Sequence, residues 1–72
     1  MMKGVKVGDL VRVSTKIHQE GIPPNRMGIV IRHAGVVLDN FALSERDTWT
    51  VQMTNGEIMK FHDMWLEIVR EV

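Results

Sequence analysis

The chain has 72 residues, room for one hydrophobic core, so we predict a single domain over residues 1–72. It is 44% hydrophobic and 25% charged, which is typical of a globular chain, and no apolar run approaches the roughly 20 residues that span a bilayer. The absence of cysteine excludes disulfides and thiolate metal sites. Because the sequence also begins without an apolar leader segment, we expect a cytoplasmic protein with no membrane partner.

Nine basic residues balance nine acidic residues, which gives a formal net charge of zero. Nucleic-acid-binding domains usually carry a basic excess, because neutralisation of phosphates supplies much of their affinity. The charge balance therefore lowers the expectation of nucleic-acid binding but leaves room for a local basic patch.

Short apolar segments separated by turn residues predict an all-β domain, beginning with a strand at Leu10–Ser14. The next stretch, Thr15–Arg26, contains Pro23 and Pro24. Proline has no N–H to donate to a β ladder and restricts the residue before it. We therefore predict a long loop over Thr15–Arg26.

The central strand is predicted at Met27–His33, where three consecutive β-branched residues favour burial on both faces. Gly28 indicates either a bulge or a close approach of two backbones. Gly35 is predicted to end this strand. A second long loop is then expected over Ala34–Asp47.

The second half of the chain predicts a hairpin and a closing strand. Thr48–Met53 alternates apolar and polar residues, and Glu57–Phe61 is its return strand. Between them, Asn55-Gly56 is the strongest short-range hairpin signal and predicts a type I′ turn, whose two central residues need positive φ. His62–Trp65 is predicted as one helical turn, followed by a last strand at Leu66–Val69.

Four segments carry a family resemblance: Lys6–Arg12, Gly28–Val30, Asn55-Gly56 and Leu66–Ile68. Their sequence and order resemble the SH3-like small β-barrels of the KOW and Tudor type, over nearly the whole chain. The resemblance implies a five-stranded barrel with one short helical turn before the last strand. The layout is also similar to small uncharacterised proteins of bacteria and phages. It implies little about function, because such barrels bind RNA, peptides, modified lysines or each other.

The layout also resembles one enzyme family, the type II dihydrofolate reductases, whose barrels form tetramers around a shared pore. Aligning the chains on Leu66-Glu67 places that family's Val-Gln-Ile-Tyr motif on Ile58–Phe61. The family's ligand-binding glutamine then falls on Met59 and its tyrosine on Phe61. Both polar groups are lost, so we assign no active-site residue.

Groups able to carry chemistry are scattered. His18, His33 and His62 lie on different predicted elements without metal-binding spacing, whereas a zinc site needs three or four ligands. His62 and Asp63 are adjacent, so their side chains are expected to diverge. We therefore predict no catalytic residue, no metal and no cofactor, and hence no enzyme.

Three basic residues, Arg12, Arg32 and Lys60, lie on predicted strands where alternation points them outward. If those strands are neighbours, the charges form a stripe that would bind nucleic acid. Stacking surfaces would come from the aromatic residues Trp49, Phe61 and Trp65. We favour the other interpretation, in which Trp49 is buried and the charges are simply solvated.

The predicted loop over Ala34–Asp47 is unusually apolar. Its apolar side chains either cover an open end of the barrel or form an exposed surface that docks on a partner. We favour the first interpretation, because so apolar a stretch is seldom left in water. Under the second, the interaction surface consists of Val37, Leu38, Phe41 and Leu43.

The apolar residues outnumber the positions that the interior of so small a barrel can hold. A domain of this size without a disulfide or metal also has a small stability margin. Both facts favour a second, partner-facing apolar surface. The predicted function is a non-catalytic interaction module that forms a homo-oligomer or docks on a larger protein assembly. The alternative is a nucleic-acid-binding barrel that uses the basic stripe.

Overall fold

The computed structural model describes residues 4–39 and 44–69, which form one antiparallel sheet. Its five strands are β1 (Leu10–Val13), β2 (Met27–Asp39), β3 (Ser44–Met53), β4 (Ile58–His62) and β5 (Leu66–Ile68). One turn of 3-10 helix, Asp63–Trp65, precedes β5. The predicted all-β class, the five strands and the position of the helical turn are confirmed.

The strand order across the sheet is β4-β3-β2-β1-β5. The two edge strands, β4 and β5, pair antiparallel with β3 and β1 respectively. Among the described residues β4 and β5 do not pair with each other, so backbone hydrogen bonds do not close the sheet.

The core lies on one face of the sheet, because alternate residues of each strand point to the same side. Its buried members are Val11, Val13, Val30, Val51, Met53, Met59, Phe61 and Leu66. Burial on both faces of the central strand, predicted from its β-branched run, is wrong for Ile29, which is 42% exposed. Its side chain points to the face of the sheet opposite that of the buried Val30.

The predicted loop over Ala34–Asp47 is wrong, since β2 continues to Asp39 and β3 begins at Ser44. Gly35 does not end β2. It adopts φ +113° beside a register shift between His33 and Gly35, and a second shift lies between Val30 and Arg32. A bulge of this kind bends a strand, but backbone hydrogen bonding to the neighbouring strand continues beyond it.

Gly28 lies where β2 and β3 come closest. A Cβ atom added there would lie 2.6 Å from the carbonyl oxygen of Gln52 and 2.7 Å from a methyl carbon of Val51. Of the two roles predicted for Gly28, the structure shows the close approach of backbones. Both bulges of β2 lie further along the strand.

The long loop predicted before β2 is confirmed over residues 14–26, and one side chain fastens it. The guanidinium of Arg26 donates to the carbonyl oxygens of Val13 at 3.1 Å, Ser14 at 2.7 Å and Ile17. Arg26 has φ +58° and is the one non-glycine with positive φ among the described residues. Its backbone strain is therefore offset by bonds that hold the loop against β1.

The hairpin between β3 and β4 is confirmed at Asn55-Gly56, but the predicted type I′ turn is wrong. Gly56 has φ +91°, whereas Asn55 is not in the positive-φ region. The Gly56 N–H donates to the Met53 carbonyl at 2.9 Å, and the Met53 N–H donates to the Glu57 carbonyl at 2.7 Å. This pattern is a three-residue loop ending in a left-handed glycine. The Asn55 side chain accepts a hydrogen bond from the Glu57 N–H at 3.1 Å and donates one to the Gly21 carbonyl at 3.0 Å.

Gly56→Ala is expected to lower the free energy of unfolding by about 1 kcal/mol, because a Cβ atom disfavours the left-handed region. No atom lies within 4 Å of the added Cβ, so backbone conformation alone causes the loss. Urea denaturation measures it. Gly4→Ala is the matched control, since that site is equally open and has no positive φ. Equal stability of the two variants would contradict this account of the turn.

Candidate interaction surfaces

The far half of the β2–β3 hairpin, residues 34–39 and 44–47, extends beyond the rest of the sheet. We call it the hairpin extension. β1 pairs only with Met27–Ile29 of β2, and β4 pairs only with Thr48–Gln52 of β3. Within the described ranges, no third strand therefore flanks the hairpin extension on either side.

The hairpin extension exposes consecutive apolar side chains: Val36 is 52% exposed, Val37 38% and Leu38 61%. The favoured interpretation, that these residues cover an end of the barrel, is wrong, because an extended ribbon turns side chains outward on both of its faces. Val37 and Leu38, two residues of the predicted interaction surface, are thus both accessible, on opposite faces of the ribbon. The other two, Phe41 and Leu43, lie outside the described residues.

Polar contacts fasten the base of the hairpin extension. His33 Nε2 lies 3.0 Å from Asp47 Oδ1, and the His33 ring meets the Trp49 ring edge-on with 4.8 Å between centroids. The Thr48 hydroxyl donates to the Gly35 carbonyl at 3.0 Å. The imidazole of His33 is thus paired with the carboxylate of Asp47. The described residues contain no cluster of three or more side chains that could hold a metal.

The sheet surface opposite the core, the outer face, carries a second exposed apolar group. The register places Leu10, Ile29, Gln52 and Ile58 in one row across β1, β2, β3 and β4. Ile29 and Ile58 are 42% and 58% exposed. The exposed apolar side chains of the described residues therefore form two groups, this row and the hairpin extension, apart from Val7 and Met64.

The three predicted basic residues are all exposed and all lie on the outer face, but they do not form one stripe. Arg32 and Lys60 both pair with Thr50 of β3, so they lie two strands apart in one row. Arg12 lies beyond the apolar row, opposite Met27 and 3.5 Å from Glu67. The structure brings Arg32 and Lys60 together and separates Arg12 from them.

Two of the three predicted stacking residues, Trp49 and Phe61, are not on the outer face. Trp49 and Phe61 pair with each other one position away from Thr50 and Lys60, so alternation turns them to the opposite side. Phe61 is buried in the core, and Trp49 packs against it half-buried. Trp65 is half-buried in the 3-10 turn.

An open groove of 310 Å³ lies between the end of β1 and the start of β5. Its lining includes Arg12, Met64, Trp65 and Glu67. The Ser14 N–H donates to the Trp65 carbonyl at 2.8 Å and holds the two segments together. The groove was not predicted from the sequence, because no local pattern shows that residues 12–15 lie beside residues 64–67. Its charged groups, Arg12 and Glu67, already lie beside each other.

Comparisons with protein-family models, curated proteins and solved structures gave no match. In the part of the chain that the structure describes, no helix is long and apolar enough to cross a membrane. The two exposed apolar surfaces are therefore the features from which a function can be inferred.

Proposed function

We propose that this protein is a non-catalytic interaction module, an SH3-like barrel that self-associates as a homo-oligomer through the hairpin extension. The observation that carries the proposal is the exposed, uncharged strand edge over residues 34–38. We further place the protein in the cytoplasm, in keeping with its cysteine-free composition.

Proteins usually protect sheet edges with short strands, charges or proline. The edge strand β5 has three residues, including Glu67, and the edge strand β4 has Lys60 at its centre. In contrast, residues 34–38 of β2 contain neither a charge nor a proline. A two-stranded ribbon is also marginally stable in water, so the hairpin extension gains most from an added strand.

A second copy of the chain fits this edge. An antiparallel strand can pair with its own copy about a two-fold axis, so that each segment over residues 34–38 lies against the same segment of the other copy. All cross-strand neighbours are then uncharged, and the valines and leucine bury each other. Each ribbon becomes part of a four-stranded sheet without the burial of an unpaired charge.

Self-association is tested by sedimentation velocity at micromolar concentrations. We expect the wild-type chain to form dimers and the double variant Val36→Lys with Leu38→Lys to be a monomer, because ammonium groups of the two copies would repel at the shared edge. Val7→Lys is the matched control: Val7 is 57% exposed but lies outside the hairpin extension, so this variant keeps the dimer.

A monomeric wild-type chain under these conditions would contradict the proposal. Loss of the dimer in Val7→Lys would also contradict it, because general surface charge rather than the hairpin edge would then control association. Circular dichroism of each variant separates loss of association from loss of folding.

A further inference from the structure

We propose that the outer face is a separate docking surface for a segment of another protein that combines carboxylate and apolar side chains. This surface is distinct from the hairpin extension and has a different occupant. The inference goes beyond self-association and does not depend on it.

The apolar part of this surface is the row formed by Leu10, Ile29 and Ile58. With neighbouring strands about 4.8 Å apart, the row extends roughly 14 Å across the sheet. Gln52 lies within it between Ile29 and Ile58. A row of this length would bury two or three apolar side chains of a partner segment.

Cations occupy the rows on both sides of this apolar row. On one side Lys60 lies two residues beyond Ile58, and Arg32 lies three residues beyond Ile29 because of the bulge between Val30 and Arg32; Arg12 lies on the other side. Glu67, in register with Arg12, is the acidic residue of these rows and lies 3.5 Å from the Arg12 guanidinium. Within the described residues Arg32 and Lys60 form no ion pair, so both are available to a partner.

The position between Arg32 and Lys60 favours a carboxylate. Thr50 pairs with both residues, so the two cations lie two strands apart in one row, with backbones roughly 10 Å from each other. Both side chains are exposed and long enough to reach one carboxylate between them and form charge-assisted bonds to it. Thr50 itself is 1% exposed and is not accessible to a ligand.

The composition of the outer face favours a protein segment over the other macromolecules. Single-stranded nucleic acids stack successive bases on several aromatic side chains. Trp49 and Phe61 point to the opposite side, and of the predicted stacking residues only Trp65 lines the groove beside Arg12. A second copy docked by the same face would bring Arg32 and Lys60 of both copies into one interface, where they repel. A segment with carboxylates flanking apolar residues matches both the cations and the isoleucines.

The test is fluorescence anisotropy with three labelled probes: a peptide of alternating leucine and glutamate, its counterpart with lysine in place of glutamate, and a single-stranded RNA oligonucleotide. We expect the wild-type chain to bind the glutamate peptide most tightly. Arg32→Glu combined with Lys60→Glu reverses the two free cations. That variant is expected to lose roughly tenfold or more in affinity for the glutamate peptide and to gain affinity for the lysine peptide.

Two further variants separate the parts of the surface. Ile58→Ser weakens binding of the glutamate peptide with the charges intact, because it removes one end of the apolar row. Lys16→Glu, an exposed cation of the loop before β2, is the charge-matched control and leaves binding unchanged. Circular dichroism confirms that each variant is folded.

The double variant Val36→Lys with Leu38→Lys shows whether the two surfaces are independent. It alters the hairpin extension and leaves the outer face intact, so we expect it to bind the glutamate peptide as tightly as the wild-type chain. A failure of self-association is thereby distinguished from a failure of the outer face to bind.

Three results would overturn the inference. Tighter binding of RNA than of the glutamate peptide, abolished by the Arg32 and Lys60 reversal, would make the outer face a nucleic-acid site. A dimer that dissociates on Ile58→Ser would make it a contact between copies. Failure of all three probes to bind would show that the surface is only solvated.

Discussion

Gly28→Ala is expected to lower the free energy of unfolding by about 3 kcal/mol. The added Cβ atom would lie 2.6 Å from the Gln52 carbonyl oxygen and 3.0 Å from the Cα of Met53. Both are backbone atoms of β3, so a side-chain rotation cannot relieve the contact. The strands must move apart at the centre of the sheet, where the buried Val51 also packs.

A domain of this size rarely has more than about 3–5 kcal/mol of stability, so Gly28→Ala should leave much of the chain unfolded at physiological temperature. Thermal unfolding followed by circular dichroism would show a fall in Tm of roughly 15 °C. Ile29→Thr, the next position on the same strand, is the control. Its side chain is 42% exposed on the outer face, so its effect should stay within about 1 kcal/mol. A Gly28→Ala variant as stable as this control would contradict the close approach of β2 and β3.

Arg26→Met is expected to lower the free energy of unfolding by about 2–3 kcal/mol, slightly less than Gly28→Ala. The substitution keeps the apolar stem of the side chain, but removes the donors that reach the carbonyl oxygens of Val13, Ser14 and Ile17. Hydrogen bonds from a charged donor contribute more than neutral ones, and their loss leaves part-buried acceptors unpaired. The loop over residues 14–26 would then detach from β1, and the amide protons of that loop would exchange faster with solvent.

Two variants separate the loss of the Arg26 guanidinium from the backbone strain at this residue. Arg26→Gly also removes the guanidinium but relieves the strain of φ +58°, so its stability should lie between those of Arg26→Met and the wild type. Lys16→Met, which removes an exposed cation from the same loop, should have little effect on urea denaturation. Equal stability of Arg26→Met and Lys16→Met would show that the three carbonyl bonds do not hold the loop.

Local sequence patterns are sufficient to predict the strands whose residues alternate between core and solvent. In β1 the buried Val11 and Val13 alternate with the exposed Arg12, and this period is a property of the strand itself. The Asn55-Gly56 pair is equally informative about the existence of a hairpin. It does not determine the type of turn, because the register between Met53 and Glu57 places a positive φ only at Gly56.

The two candidate surfaces are harder to predict. Gly35 predicts the end of a strand, although a glycine at a bulge lets the ladder continue, and only pairing with Thr48 distinguishes the two cases. The basic residues are correctly predicted to lie on strands, but the spacing of Arg12 from Arg32 and Lys60 depends on strand order. No local pattern contains that order.

Residue type and short-range alternation are enough to establish the all-β class, the β3–β4 hairpin, the loop before β2 and the excess of apolar residues. The positions of the exposed apolar residues depend instead on how the strands pair. Strand order and register placed Ile29 and Ile58 in one row of the outer face, and the continuation of β2 and β3 past their neighbours left Val36, Val37 and Leu38 exposed. These positions depend on pairing between residues that are distant along the chain, and it is there that we expect partners to bind.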